Sequence, residues 1–171
     1  MDTIVVNDTN IFIDLWNIDL LNEFFKLPFK IHTTDFVIDE LMVEEQRKQV
    51  LEFETLNKLN VKRQTAEEIL EIVQFQAERD NNVSITDCSV WLYARKNNYR
   101  LITGDSKLRK SAIASGITVC GILYIFDQLI EHHIITPLQG YNKLQELSTL
   151  NNRLPSKEID KRLKLWEAEA E

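Results

Sequence analysis

A short buried strand near the N-terminus constrains the fold of this chain most. The consecutive β-branched residues Ile4, Val5 and Val6 are bounded by polar residues. Such a run predicts a strand that is covered on both faces, as in the centre of a parallel sheet. Asp8 follows the strand directly. Because ligands of open α/β sheets bind at the carboxyl ends of the strands, Asp8 is the first candidate site residue. Taken singly, Asp8 is explained equally well by a helix N-cap or an Asx turn.

Short apolar strands alternate with helical segments along the rest of the chain. Strands are predicted at 4–6, 30–32, 59–61, 100–103 and 117–119. Helices are predicted at 15–25, 36–43, 45–57, 65–79, 84–94, 106–114 and 122–131. The helix at 65–79 is amphipathic, with an apolar face of Ala66, Ile69, Leu70, Val73 and Ala77. The alternation predicts an α/β fold in three layers, α/β/α, with a central parallel sheet of about four to five strands. Pro137 and Pro155 each begin a further segment, which predicts additional C-terminal helices.

Length and composition predict a chain that forms a full hydrophobic core. The 171 residues are 44% hydrophobic, and four Gly and three Pro leave no room for a flexible linker. The N-terminus lacks a basic region and a long apolar run, so we expect neither a signal peptide nor a membrane span and predict a cytoplasmic protein. Cys88 and Cys120 lack metal-ligand spacing and are expected to be buried and reduced.

The net charge of −7 excludes one class of function. A protein that binds nucleic acid broadly through phosphates needs a basic surface, and this chain is acidic. Any nucleic acid would therefore be held locally, with cations helping.

A second candidate acid, Glu40, lies in the helix predicted at 36–43. On a helical wheel Glu40 falls between Phe36 and Val37, so we expect it to point toward the same edge as Asp8. Glu44 would share this face one turn further on and is the competing candidate. The alternative for Glu40 is a surface acid on a ragged apolar stripe.

Two more acids begin predicted helices. Ser84 and Asp87 have the spacing of a capping box, and capping alone is a sufficient explanation for Asp87. Asp105 follows Gly104 at the end of the fourth strand, where it is positioned to N-cap the helix at 106–114. The arrangement of Asp8 is thereby repeated.

The four acids share one location although each has its own structural explanation. Separate capping roles do not predict that Asp8, Glu40, Asp87 and Asp105 should all converge on one edge of the sheet. Carboxylates within about 5 Å of each other repel by roughly 3 kcal/mol per ionised pair, so such a cluster requires a divalent cation or raised pKa values. Hard oxygen ligands without Cys or His favour Mg²⁺ or Mn²⁺.

These residues resemble the PIN domain, and within it the VapC-like toxin ribonucleases. The resemblance covers roughly residues 1 to 130 and depends on four ordered motifs: the first strand ending in Asp8-Thr9-Asn10, then Val37-Ile38-Asp39-Glu40-Leu41, Asp87 at the start of an apolar helix, and Thr103-Gly104-Asp105. We therefore expect a PIN-like nuclease domain at residues 1–135. Residues 136–171 are then a helical C-terminal extension, packed on the domain or on a partner through Ile159, Leu163 and Trp166.

The resemblance also implies an activity. It predicts a Mg²⁺-dependent endoribonuclease, in which Asp8, Glu40, Asp87 and Asp105 form the catalytic, metal-binding quartet, with the polar residues Asn10 and Thr103 near the metals. The family context further implies the toxin of a toxin–antitoxin pair, an antitoxin-like protein inhibitor and a homodimer. The length of the C-terminal segment and the acidic net charge depart from the family pattern.

Substrate contacts and alternative functions remain open at this point. Lys107, Arg109 and Lys110 directly follow Asp105 and are candidates for binding RNA, although a solvated helix face explains them as well. One alternative is a catalytically silent PIN-fold protein that acts through protein or RNA binding. Another is a phosphotransfer or receiver-like domain with Asp8 as nucleophile. Dehalogenase-type enzymes, however, need Asp-x-Asp after the first strand, and this chain has Asp8-Thr9-Asn10.

Overall fold

A five-stranded parallel sheet lies at the centre of the protein. The computed structural model describes residues 3–79 and 83–169. Within them the strands are β1 Thr3–Asn7, β2 Phe29–Thr34, β3 Leu59–Lys62, β4 Arg100–Ile102 and β5 Val119–Cys120. Their order across the sheet is β3-β2-β1-β4-β5, and all neighbouring strands pair in parallel.

Helices flank this sheet, which confirms the predicted α/β class. The described helices are α1 Thr9–Asn17, α2 Leu21–Phe24, α3 Asp35–Glu40, α4 Glu44–Thr55, α5 Ala66–Ala77, α6 Ile85–Asn97, α7 Ser106–Ala114, α8 Ile122–Glu131, α9 Pro137–Leu150 and α10 Ser156–Glu169. No helix in the described ranges is long and apolar enough to cross a membrane.

The first strand occupies the middle of the sheet, as its apolar run predicts. Val5 and Val6 are fully buried, and Val5 pairs with Ile31 of β2 on one side and with Arg100 of β4 on the other. In chain order, β2 and β3 lie on one side of β1, and β4 and β5 then lie on its other side. The strand order therefore reverses between β1 and β4, and such a reversal opens a crevice at the carboxyl ends of these strands.

Several predicted element boundaries differ from the structure. The helix predicted at 15–25 is two helices, α1 and α2, separated by Asp19 with a φ of 54°. The helix predicted at 36–43 ends at Glu40, and α4 begins at Glu44. Glu44 is therefore not one turn further along the helix of Glu40, and the competition predicted between these two acids does not arise.

The amphipathic helix α5 presents a different face to the core than predicted. All five residues of the expected apolar face are exposed: Ala66, Ile69, Leu70, Val73 and Ala77. The helix instead buries Ile72 and Phe75. The Phe75 ring meets the Trp91 ring of α6 edge-on, with 4.9 Å between centroids. Edge-to-face aromatic pairs are favourable beyond the area that they bury, and this contact forms on the face of α5 that packs on α6.

The C-terminal helices pack on α8. Trp166 of α10 is 3% exposed and stacks on Phe126 of α8 at 6.0 Å. Gly140 of α9 permits this packing, because a Cβ at this position would lie 2.6 Å from Ile130 Cδ1. Arg162 of α10 adds a bidentate ion pair to Asp127 of α8, at 2.8 and 2.6 Å. The division of the chain at residue 135 remains a prediction.

Neither cysteine is in a disulfide, and two adjacent histidines lie at the end of α8. Cys88 is buried and Cys120 half-buried, and both are free thiols. Burial raises the pKa of Cys88 to about 11, so its thiol is a poor nucleophile at neutral pH. His132 forms the C-cap of α8 and His133 follows with a φ of 55°; both side chains are exposed.

A pair of adjacent substitutions tests how α10 contributes to stability. Trp166→Ala should lower the free energy of unfolding by about 3–5 kcal/mol, because it removes a buried aromatic side chain from the contact with Phe126. Leu165→Ala changes a residue that is 53% exposed, and its effect should stay within about 0.5 kcal/mol. Urea denaturation of the full-length protein measures both values. Equal effects of the two substitutions would contradict the packing of α10 described here.

Candidate active site

Asp8 lies at the bottom of the crevice between β1 and β4. It N-caps α1 with an extended backbone, φ −82° and ψ 161°, and is 1% exposed. Its Oδ1 accepts a hydrogen bond from the Thr9 N–H at 2.8 Å, and its Oδ2 accepts one from the Thr103 hydroxyl, also at 2.8 Å. Because each carboxylate oxygen has its own donor on a different element, the orientation of Asp8 is fixed before any ligand binds.

The pKa of the Asp8 carboxyl is raised from 3.8 to about 7. Burial is the largest cause, followed by the negative charge of Asp87; Glu40 adds a smaller repulsion. The hydrogen bonds from Thr103 and Thr9 act in the opposite direction, since they stabilise the ionised form. With a pKa of about 7, Asp8 is only partly ionised at neutral pH, because the protein alone compensates its charge incompletely.

Glu40 lies on the rim of the same crevice. It is the last residue of α3, it is exposed, and its Oε2 accepts a hydrogen bond from the Thr9 hydroxyl at 3.3 Å. Thr9 thus donates to two acids, through its N–H to Asp8 and through its hydroxyl to Glu40. The N-terminus of α1 and the C-terminus of α3 are held together at this point.

Asp87 combines helix capping with proximity to the other acids. The Asp87 carboxylate accepts a hydrogen bond from the Ser84 N–H at 3.1 Å, and the Ser84 hydroxyl accepts one from the Asp87 N–H at 3.0 Å, which forms the predicted capping box of α6. Burial raises the Asp87 pKa most, and the charges of Asp105 and Glu40 raise it further. The two explanations of Asp87 therefore hold at the same time.

Asp105 N-caps α7, as the sequence predicts. Its Oδ1 accepts hydrogen bonds from the N–H groups of Lys107 and Leu108 at 2.9 and 2.8 Å. The Asp105 N–H in turn donates to the Thr103 hydroxyl at 3.0 Å. Since the same hydroxyl donates to Asp8, Thr103 connects the two acids that follow β1 and β4.

The four carboxylates are close enough to repel one another. The charges of Asp87 and Glu40 raise the pKa of Asp8. The charges of Asp105 and Glu40 raise the pKa of Asp87. Within residues 3–79 and 83–169, no three His, Cys, Asp or Glu side chains already stand together as a metal-binding group. Each acid instead accepts hydrogen bonds from nearby N–H and O–H groups, as expected of carboxylates that repel each other.

The chemistry of this set nevertheless fits a divalent cation. All four candidates are hard oxygen donors, and Asp8 is buried with an unfavourable charge. Among the described contacts, the capping bonds of Asp105 use one oxygen only, and the same holds for Asp87 and Glu40. One oxygen of each thus remains available to a ligand, and carboxylate oxygens are what Mg²⁺ and Mn²⁺ prefer.

The other predicted site residues differ in whether they contact the four acids. Thr103 is fully buried and contacts Asp8 directly, whereas Asn10 is exposed and its side chain makes no hydrogen bond to the described residues. Lys107, Arg109 and Lys110 are all exposed on α7. In the described structure, no ion pair or side-chain hydrogen bond of these three cations reaches the four acids.

Two polar residues beside the cluster were not predicted from the sequence. Thr9 contacts both Asp8 and Glu40. Asn7 is fully buried, and neither atom of its side-chain amide has a hydrogen-bond partner within the described structure. An amide in the last position of a buried apolar strand is unusual, because unsatisfied polar groups cost free energy there, and this mismatch is the signal that the sequence offered.

Solved structures similar to this chain share low identity with it. PAE2754 from Pyrobaculum aerophilum matches at a TM-score of 0.53 and 14% identity, over 77% of this chain and 99% of its own. A PilT N-terminus domain protein from the archaeon Sulfolobus solfataricus matches at 0.47 and 13%, over 77% and 97%. FitAcB from Neisseria gonorrhoeae matches at 0.39 and 13%, over 70% and 99%. The likeness to PAE2754 supports the fold and nothing further.

The family is established by sequence. No curated protein matches the chain significantly. The DUF3368 family model, described as a PIN domain, matches residues 4–168 and so spans almost all of it, including the C-terminal helices. With the acids placed where the four motifs predict them, the chain belongs to the PIN-domain family.

Proposed function

We propose that the protein is a metal-dependent endoribonuclease that hydrolyses RNA phosphodiester bonds. In this proposal Asp8, Glu40, Asp87 and Asp105 hold Mg²⁺ or Mn²⁺ and are the catalytic residues. The observation that carries it is the buried Asp8 carboxylate, which lies where the strand order reverses and is destabilised by two neighbouring acids. A charged group in such an unfavourable position is typical of a functional site rather than of a structural cap.

The family supports this chemistry. PIN domains are generally nucleases and typically use divalent metals. A divalent ion supplies two effects to phosphodiester hydrolysis: it lowers the pKa of a bound water, and it neutralises negative charge on the phosphate. The protein itself must place the carboxylates that hold the ion.

The hydrogen bonds around Asp8 provide this placement. The Thr9 N–H and the Thr103 hydroxyl hold the Asp8 carboxylate in one orientation, so little side-chain entropy is lost when a ligand binds. Asp87 and Asp105 are restrained by the helix ends that they cap. The exposed position of Glu40 on the rim makes it the acid that contacts solvent and substrate most directly.

Substrate and partners follow as proposals from the same function. Three cations are exposed on α7: Lys107, Arg109 and Lys110. They would attract RNA phosphates although the protein as a whole is acidic. We further propose a cytoplasmic toxin that forms a homodimer and is inhibited by an antitoxin-like protein. Light scattering on the purified protein tests the dimer, and a monomeric mass would contradict it.

The first prediction concerns cleavage. The purified protein should cut single-stranded RNA in Mg²⁺ or Mn²⁺ and lose this activity in EDTA. Asp8→Asn and Asp105→Asn should each reduce the rate by at least about 100-fold, because loss of one ligand charge weakens the hold on the ion. Gel assays of labelled RNA measure the rate, and circular dichroism verifies folding.

A matched pair of glutamates provides the control. Glu40→Gln should lower activity, whereas Glu44→Gln, an exposed residue in the first turn of α4, should leave it unchanged. Wild-type rates in Asp8→Asn or Asp105→Asn would contradict the active-site assignment. If all variants are folded and the wild type cleaves no RNA in either metal, the catalytically silent alternative gains support.

The second prediction concerns metal binding without a substrate. A cation that binds only the folded state stabilises it by RT ln(1 + [L]/Kd), about 2.7 kcal/mol at a hundredfold excess over Kd. The melting temperature should therefore rise with Mn²⁺, and the rise should be smaller in Asp87→Asn. The amide oxygen of Asn can accept the same hydrogen bond from the Ser84 N–H, so the comparison isolates the charge. An identical response of both proteins would make Asp87 a capping residue only.

The third prediction concerns the pH dependence of the metal-free protein. Between pH 4 and pH 7 the unfolded chain has released the Asp8 proton while the folded protein retains it, because the folded pKa is about 7. The unfolded state then binds fewer protons, so stability falls as the pH rises through this range and levels off above pH 7. The full penalty is at most about 4 kcal/mol, at about 1.4 kcal/mol per pKa unit.

Asp8→Asn should lack this component. In EDTA, the stability of Asp8→Asn relative to wild type should increase between pH 4.5 and pH 7.5 in urea denaturation. A difference between the two proteins that stays constant with pH would contradict the raised pKa of Asp8.

A further inference from the structure

A cleft adjoins the acid cluster on the side of β5. Its volume is about 570 Å³, within the roughly 300–1,000 Å³ typical of ligand sites. It lies among the ends of β4 and β5, the N-terminal parts of α7 and α8, the loop between α9 and α10, and residues of α1 and α10. The lining residues that matter here are Thr103, Arg109, Gly121, Leu123, Arg153 and Leu154.

The cleft shares a residue with the acid cluster. Thr103 lines the cleft and donates its hydroxyl proton to Asp8. An occupant of the cleft therefore lies one side chain away from the buried carboxylate. The proposed chemistry of the acids does not use any other residue of this cleft.

The charges in the cleft favour an anion. Arg162 is paired with Asp127 and Glu158, whereas Arg109 and Arg153 have no ion-pair partner within the described chain. The acid Asp14 accepts a hydrogen bond from Asn151, and burial raises its pKa. In a protein of net charge −7, two arginines that line one cleft without an ion-pair partner in the described chain form a local site of positive charge.

Apolar side chains form part of the remaining walls. Val119 of β5, Leu123 and Leu154 all line the cleft. A ligand for this cleft therefore needs a flat or apolar part for these walls and a negative charge for the guanidinium groups. A nucleotide has both, since its base is largely apolar on its faces and its phosphate is anionic.

We propose that this cleft binds one nucleotide of a single-stranded RNA, next to the phosphate that reaches the acid cluster. The inference rests on the proposed nuclease function and extends it to a substrate-binding site that includes the C-terminal loop. Arg109 and Arg153 hold the backbone phosphate, and the base packs on Leu123 and Leu154. The two arginines thus provide positive charge for RNA at one place on a protein whose net charge is negative.

Charge reversal at the two arginines tests the proposal. Binding of a fluorescein-labelled 12-nucleotide single-stranded RNA is followed by anisotropy in Mg²⁺, with all proteins carrying Asp8→Asn so that the RNA persists. Arg109→Glu and Arg153→Glu should each weaken binding at least tenfold. Arg47→Glu changes the net charge equally on α4, at the opposite edge of the sheet, and should weaken binding less than twofold.

A steric variant provides an independent readout. Gly121 has a φ of −120°, which any residue adopts, and a Cβ there would lie 3.5 Å from Arg109 Nη1. Gly121→Leu therefore fills the cleft beside Thr103 without altering any charge, and it should also weaken binding at least tenfold. Thermal melting of each variant shows that it is folded. Arg153→Glu should in addition make the binding constant less dependent on salt. The slope of log Kobs against log[salt] should become smaller in magnitude by about 0.7 per lost phosphate contact.

The outcomes separate the cleft from the nuclease proposal. If Arg109→Glu and Arg153→Glu weaken binding no more than Arg47→Glu, the cleft is not an RNA site, whether or not the wild type cleaves RNA. Equal affinity for a 12-base-pair duplex would overturn the single-strand assignment. If the arginine and glycine variants lose binding while the wild type shows no cleavage, the binding site stands and the nuclease proposal fails.

Discussion

The hydrogen bond from the Thr103 hydroxyl to Asp8 joins the two halves of this protein. Asp8 follows β1, which starts the first half of the sheet, and Thr103 follows β4, which starts the second. The same hydroxyl accepts the Asp105 N–H and so positions the N-terminus of α7. Both partners are buried, and the loss of either would leave a polar group unsatisfied where water has little access. The crevice at the strand reversal depends on this one side chain, since it determines where two of the four acids lie.

Capping does not conflict with the metal binding that we propose for the same acids. A cap needs one carboxylate oxygen to accept from the first N–H groups of a helix, as Asp105 does with Oδ1. The second oxygen then points away from the helix and remains available to a ligand. Capping fixes the carboxylate at a known position on a rigid element, which is what a metal ligand needs. The structural explanations that account for Asp8, Asp87 and Asp105 singly are therefore the means by which the three acids are placed together.

The sequence predicts the parts of this structure that depend on local pattern. β1 is recognisable from three consecutive β-branched residues, of which Val5 and Val6 are fully buried, and α7 and α8 have the bounds that the sequence predicts. The face of α5 was predicted wrongly. The helix buries Ile72 and Phe75, and Phe75 packs on Trp91 of another helix, which the local pattern of α5 does not reveal. The roles of Thr9 and Asn7 depend likewise on neighbours from other elements. Contacts between elements, rather than the elements themselves, were beyond prediction.

The C-terminal helices illustrate how such contacts create a surface. Nothing in the pattern of residues 136–171 indicates a relation to the acids, and the amphipathic stripe of α10 predicts only that it packs on something. Gly140 permits α9 to approach Ile130, and Trp166 anchors α10 on Phe126. The hydrogen bond from Asn151 to Asp14 then ties the loop between these helices to α1, the helix that Asp8 caps. Arg153 and Leu154 line the cleft beside the acids because three separate contacts, none of them with the four acids, fix the position of the loop that carries them.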